Sequence, residues 1–78
     1  MENYKKFDTI VGRVIGYTNK GCLVRDEKTD KVVFCFASCS KGDRVQLSVK
    51  RVNREREQVT CLLDSVLEYA PFRYDYAA

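Results

Sequence analysis

The chain has 78 residues, 45% hydrophobic and 32% charged, with one proline, four glycines, no histidine and a formal net charge of +3. That length holds one domain, and the balance of apolar to charged residues excludes a disordered tail. No apolar run approaches the roughly 18–20 residues of a membrane span, and MENYKKFDTI at the start lacks the apolar stretch of a secretory leader, so a cytoplasmic location is expected.

After an N-terminal extension, residues 1–8, the apolar pattern has a period near two, the signal of half-buried strands. TIVGRVIGYT, about residues 9–18, reads as a first strand with Ile10, Gly12, Val14 and Gly16 on one face and Val11, Arg13, Ile15 and Tyr17 on the other; both faces carry apolar groups, so its inward face is left open. Asn19, Lys20 and Gly21 form a turn in which glycine supplies a positive φ. CLVRD follows, with Cys22 and Val24 opposite Leu23 and Arg25. The polar run from Glu27 to Asp30 leads into KVVFCFA, where Val33, Cys35 and Ala37 alternate with Val32, Phe34 and Phe36.

The loop Ser38 to Gly42 precedes the clearest strand, RVQLSVKRV, with Val45, Leu47 and Val49 on one face. Val52 falls out of that alternation, which predicts a β-bulge at Lys50 and Arg51. Asn53 to Glu57 form a charged hairpin tip, and QVTCLLD turns Val59, Cys61 and Leu63 inward. Five strands with short turns predict a small all-β closed barrel, whose closure removes exposed edges. The last segment, residues 65–78, is expected to be a helical or irregular aromatic tail: a short helix capped by Asp64 or Ser65 and ended before Pro71, bearing Tyr69, Phe72, Tyr74 and Tyr76. Those rings either lie back over the barrel or dock a protein partner.

The four cysteines, Cys22, Cys35, Cys39 and Cys61, lack the paired spacing of a zinc site, and no histidine completes a mixed one, so no metal or other cofactor is expected. They read as reduced, small apolar residues. Charge is uneven: residues 41–56 carry a local excess of four positive charges and residues 57–78 an excess of three negative ones. A basic stretch of that kind suits a polyanion or a solvated hairpin.

GRVIGYTNKGCLV, VVFCFAS and KGDRVQLSVKRVNREREQVTCLL together resemble the OB-fold RNA-binding domain named after ribosomal protein S-one, and its relative, bacterial translation initiation factor one. The resemblance covers residues 9–64, and its most specific part is the last of these segments. It implies a five-stranded OB-fold barrel with Phe34 and Phe36 facing outward and an RNA surface that includes Lys20 and Leu23. Many members carry aromatic rings at those two positions, which this chain lacks. Phe36 falls where histidine is common, and Asn53 where an acidic residue is common; the loop that often holds a short helix is SCSKG here.

The resulting expectation is a single-stranded nucleic-acid binder, RNA before DNA, in which Phe34 and Phe36 stack on bases and Lys20, Arg25, Lys50, Arg54 and Arg56 neutralise phosphates. A protein-interaction module using the tail or a barrel face is the alternative. An enzyme is not expected, because there is no histidine, no phosphate-binding glycine loop and no nucleophile motif, although Cys39 stands in a loop near Lys41.

Overall fold

The computed structural model describes residues 4–70. Five strands form one closed barrel: β1 (Thr9–Thr18), β2 (Gly21–Asp26), β3 (Val32–Cys35), β4 (Arg44–Asn53) and β5 (Gln58–Glu68). Their order around the barrel is β1-β2-β3-β5-β4, with β4 returning to β1. All neighbouring pairs are antiparallel except β3 and β5, which run parallel. The all-β barrel expected from the alternation is therefore present.

The interior is built from the alternating positions of every strand. Ile10 and Val14 of β1, Cys22 and Val24 of β2, Val33 and Cys35 of β3, Val45, Leu47 and Val49 of β4, and Val59 and Cys61 of β5 are all buried. One interior layer follows directly from register, because Cys22 pairs with Cys35, Cys35 with Cys61, and Cys61 with Val49. A five-stranded barrel is narrow, and small side chains fill such a layer without strain. None of the four cysteines is in a disulfide, and all are buried. Cys39 is among them, so the loop thiol is part of the core and not an exposed nucleophile.

Several local expectations change. Gly21 does not take a positive φ; Gly42 is the described glycine that does, at 96°. What Gly21 supplies is room, since a Cβ there would stand 2.1 Å from the Cys35 carbonyl oxygen. β3 ends at Cys35 instead of Ala37, although the Phe36 N–H still donates to the Cys61 carbonyl and continues the parallel ladder by one bond. The expected helix after Asp64 is replaced by strand: β5 continues through Ser65 to Glu68, with Val45 opposite Val66 and Arg44 opposite Glu68. A helix confined between Ser65 and Pro71 would be too short to stand alone, whereas the long β4 offers ladder partners. Phe72, Tyr74 and Tyr76 lie outside the described residues.

The bulge at Lys50 is present as a register shift between Val49 and Arg51. The segment before β1 also belongs to the packed structure. Tyr4 is buried in the core cluster, and its hydroxyl donates to Asp26 Oδ2 at 2.6 Å. Burial and that carboxylate push the Tyr4 phenol up to about 12.

Candidate nucleic-acid interface

Strand register carries one outward row across the barrel: Leu23 on β2 faces Phe34 on β3, Phe34 faces Thr60 on β5, and Thr60 faces Arg51 on β4. Phe36 extends the β3 end of this row. Phe34 is half-buried, whereas Phe36 is 47% exposed. Their ring centres lie 4.8 Å apart with the planes at 89°, so one ring braces the other edge to face. Lys50, lifted out of the ladder by the bulge, places its Nζ 5.9 Å from the centre of the Phe36 ring. The two phenylalanines of VVFCF are thus a fixed aromatic corner on the outer surface, with a cation beside it.

A groove of about 450 Å³ runs along this row, lined by Lys20, Leu23, Phe34, Phe36, Gln58 and Thr60 among others. A second depression of about 310 Å³ continues it past Lys20 and Phe36 towards Tyr17. The lane has apolar walls, amide and hydroxyl groups at its side, and two cations at Phe36, Lys20 on the wall and Lys50 over the ring. Glu57 is the carboxylate on its wall.

Two larger cavities lie elsewhere and have the wrong chemistry for a polyanion. One, beside Tyr4, is lined by Asp8, Asp26 and Glu27. The other contains Arg13, Arg25 and Lys41 but also Asp26, Glu27 and Asp30, and no aromatic ring. Its arginines are engaged: Arg13 with Glu68 at 3.0 Å and Arg25 with Asp30 at 3.6 Å. Arg44 holds Glu27 at 2.7 Å, and this contact keeps the Glu27 carboxyl below its usual range.

Of the residues singled out from sequence, Lys20, Leu23, Phe34 and Phe36 meet in the groove and Lys50 joins them at the ring. Arg54 and Arg56 are exposed at the β4–β5 tip, next in sequence to the groove residues Glu57 and Gln58. Arg25 is not brought to the groove. Sequence reading missed Gln58, Thr60 and Arg51. Their place depends on the parallel pairing of β3 with β5, a contact between segments far apart in the chain. Among the described residues, no group of three or more metal-ligating side chains is arranged to hold a metal ion.

No protein-family model matches the chain, and no curated protein matches it. Among solved structures it is similar to the apo form of Mycoplasma genitalium RNase R, with a TM-score of 0.65 and 12% sequence identity. That likeness covers 76% of this chain and 13% of that one, so this chain spans a small fraction of its neighbour's length. At such identity the likeness is one of fold. Together with the closed five-strand order, it defines the class: an OB-fold barrel, with an aromatic and basic lane on its outer face.

Proposed function

We propose that this chain is a binding module for single-stranded nucleic acid, RNA before DNA, and not an enzyme. The observation that carries the reading is the braced Phe34–Phe36 pair in an outward groove, with Lys50 over the exposed ring. Aromatic faces stack on any base, and each stacked base contributes about 1–3 kcal/mol. Lys20, Lys50, Arg51, Arg54 and Arg56 surround the lane as phosphate partners. Arg25, paired with Asp30 of the β2–β3 turn, contributes long-range charge and no contact.

Stacking with phosphate neutralisation gives weak base preference and strong salt dependence. That the fold neighbour bears the name of an RNase supports RNA as the polymer. The lane is shallow and lined by a half-buried ring, so it suits unpaired bases and not a duplex, whose base faces are covered.

The test is fluorescence anisotropy with a short labelled single-stranded RNA and a hairpin duplex of the same composition, at low and moderate salt. The reading requires preference for the single strand and a log–log salt slope on the order of −3 to −4, the value for about five phosphate contacts on a single strand. Equal affinity for the two forms, or no binding at low salt, contradicts it.

A further inference from the structure

Phe7 stands apart from the groove and has no role in the barrel's core. It is the most exposed large apolar residue in the described chain, at 78%, and its backbone is left-handed, with φ at 77°. An aromatic residue seldom adopts that conformation, which is kept only where surrounding structure enforces it. Here the enforcement is visible. The Phe7 N–H donates to the Val49 carbonyl at 2.8 Å, and the Val49 N–H donates to the Asp8 carbonyl at 2.8 Å. The Asp8 N–H closes a turn onto the Lys5 carbonyl, and Asp8 Oδ2 accepts from the Lys5 N–H. Buried Tyr4 anchors the start of the segment. A strap this well tied holds its phenylalanine out in solvent, with Lys6 Nζ 5.2 Å from the ring centre.

Its position follows from register. Thr9 pairs with Ser48, and the Phe7–Val49 bond carries the β1–β4 ladder one step further, to Val49, the residue before Lys50. Lys50 in turn lies over Phe36. The order across the surface is therefore Phe36 on the β3 end, then β5, then Lys50 on β4, then Phe7. At strand spacings near 4.8 Å, the path along the barrel surface from one residue to the other is on the order of 15 Å. Exposed cations flank Phe7 along the chain and the β4 ladder, namely Lys5, Lys6, Lys50 and Arg51, while the Asp8 carboxylate accepts from the Lys5 N–H and borders the acidic cavity beside Tyr4.

We propose that Phe7 is a second stacking platform for single-stranded RNA, receiving a base after the strand leaves the groove and passes Lys50. The proposal rests on the RNA-binding reading above and extends the footprint from β2–β3–β5 onto the β4 side of the barrel. It makes affinity depend on oligonucleotide length, since a strand filling only the groove never reaches Phe7.

The experiment measures binding of labelled oligouridylates of about four and about twelve nucleotides, the range of sites on such barrels, to the full chain and to Phe7→Leu, Phe7→Tyr, Phe7→Gly and Phe36→Leu. Phe7→Leu is expected to lose about tenfold in affinity for the long oligomer and nothing for the short one, with Phe7→Tyr unchanged. Phe7→Gly removes the ring while relieving the left-handed strain, so it shows the same loss in a chain at least as stable. If both Phe7→Leu and Phe7→Gly bind the long oligomer as the wild type does while Phe36→Leu weakens binding, the second platform is wrong and the groove stands. Equal loss for short and long oligomers also overturns it, by placing Phe7 inside the primary site. If the wild type binds neither, both readings fall.

Discussion

The Lys50 ammonium stands over the Phe36 ring, 5.9 Å from its centre, because a bulge in β4 turns Lys50 out of the ladder. One face of the ring is thereby next to a cation, an arrangement that contributes about 0.5–1 kcal/mol at an exposed site. On the proposed reading the two residues meet a nucleic acid through different physics, stacking and charge, so their substitutions separate. Phe36→Ala is expected to weaken single-strand binding by about tenfold with little change in the salt slope, since stacking releases no counterions. Lys50→Ala is expected to lower affinity and make the slope shallower by about 0.7, the share of one phosphate on a single strand. Anisotropy titrations at several salt concentrations distinguish them. Neither should unfold the chain, because both side chains are substantially exposed.

Gly21 allows β2 to approach the end of β3. A methyl group there would meet the Cys35 carbonyl oxygen at 2.1 Å and the Ala37 nitrogen at 3.2 Å, both backbone atoms that cannot swing away. Gly21→Ala is expected to destabilise the fold by at least about 1–3 kcal/mol and to loosen the groove between Lys20 and Phe36. Urea denaturation gives the first effect, and amide shifts around Phe36 the second.

Asp43 is buried and joins the end of β5 to the loop before β4. Its Oδ1 accepts from the Ala70 N–H at 2.7 Å and its Oδ2 from the Ser40 N–H at 3.1 Å. Asp43→Ala leaves buried donors unsatisfied, at an expected cost of about 1–3 kcal/mol. Faster hydrogen exchange at Ala70 and Ser40, beyond that of the rest of the barrel, is the local signature.

The buried thiols give the fold an alkaline limit. Burial pushes Cys35 and Cys61 up to about 12, against an ordinary value of 9.0, and raises Cys22 in the same direction. Below pH 9 both folded and unfolded chains keep these protons, and the full stabilisation is present. Between about 9 and 12 the unfolded chain releases them while the folded chain retains them, so stability falls by about 1.4 kcal/mol per pH unit for each thiol in that regime. Chemical denaturation from pH 7 to 11 should show this decline, reduced in Cys61→Ala after allowance for its lower starting stability. Iodoacetamide at neutral pH should leave all four cysteines unmodified until denaturant is added.

How much of this was legible in the sequence depends on the range of the interactions involved. The alternation Val45, Leu47, Val49 and the out-of-step Val52 located both β4 and its bulge, because strand parity is a local property. The outward direction of Phe34 and Phe36 was implied by the family resemblance and not by the alternation, since both faces of β3 are apolar. The inward face of β1 was not, since Val11 and Ile15 are as apolar as Ile10 and Val14, and burial of Ile10, Gly12 and Val14 is fixed by β2 and β4. Thr60 and Gln58 join the site only through parallel pairing, which leaves no mark in either segment. Tyr4 in the core and strand continuing to Glu68 follow from ladder partners on distant strands, where local propensity had pointed to an extension and a helix.

The most direct measurement is an amide-shift titration of the labelled protein with a short mixed-sequence single-stranded RNA, first at low salt and then at moderate salt. Shifts are expected to concentrate at Lys20, Leu23, Phe34, Phe36, Lys50 and Thr60 and to fade as salt rises, with Arg13 and Glu27 unmoved. Shifts centred on the cavity of Arg13, Arg25 and Lys41, or an unmoved spectrum at low salt, would contradict the groove as the RNA site.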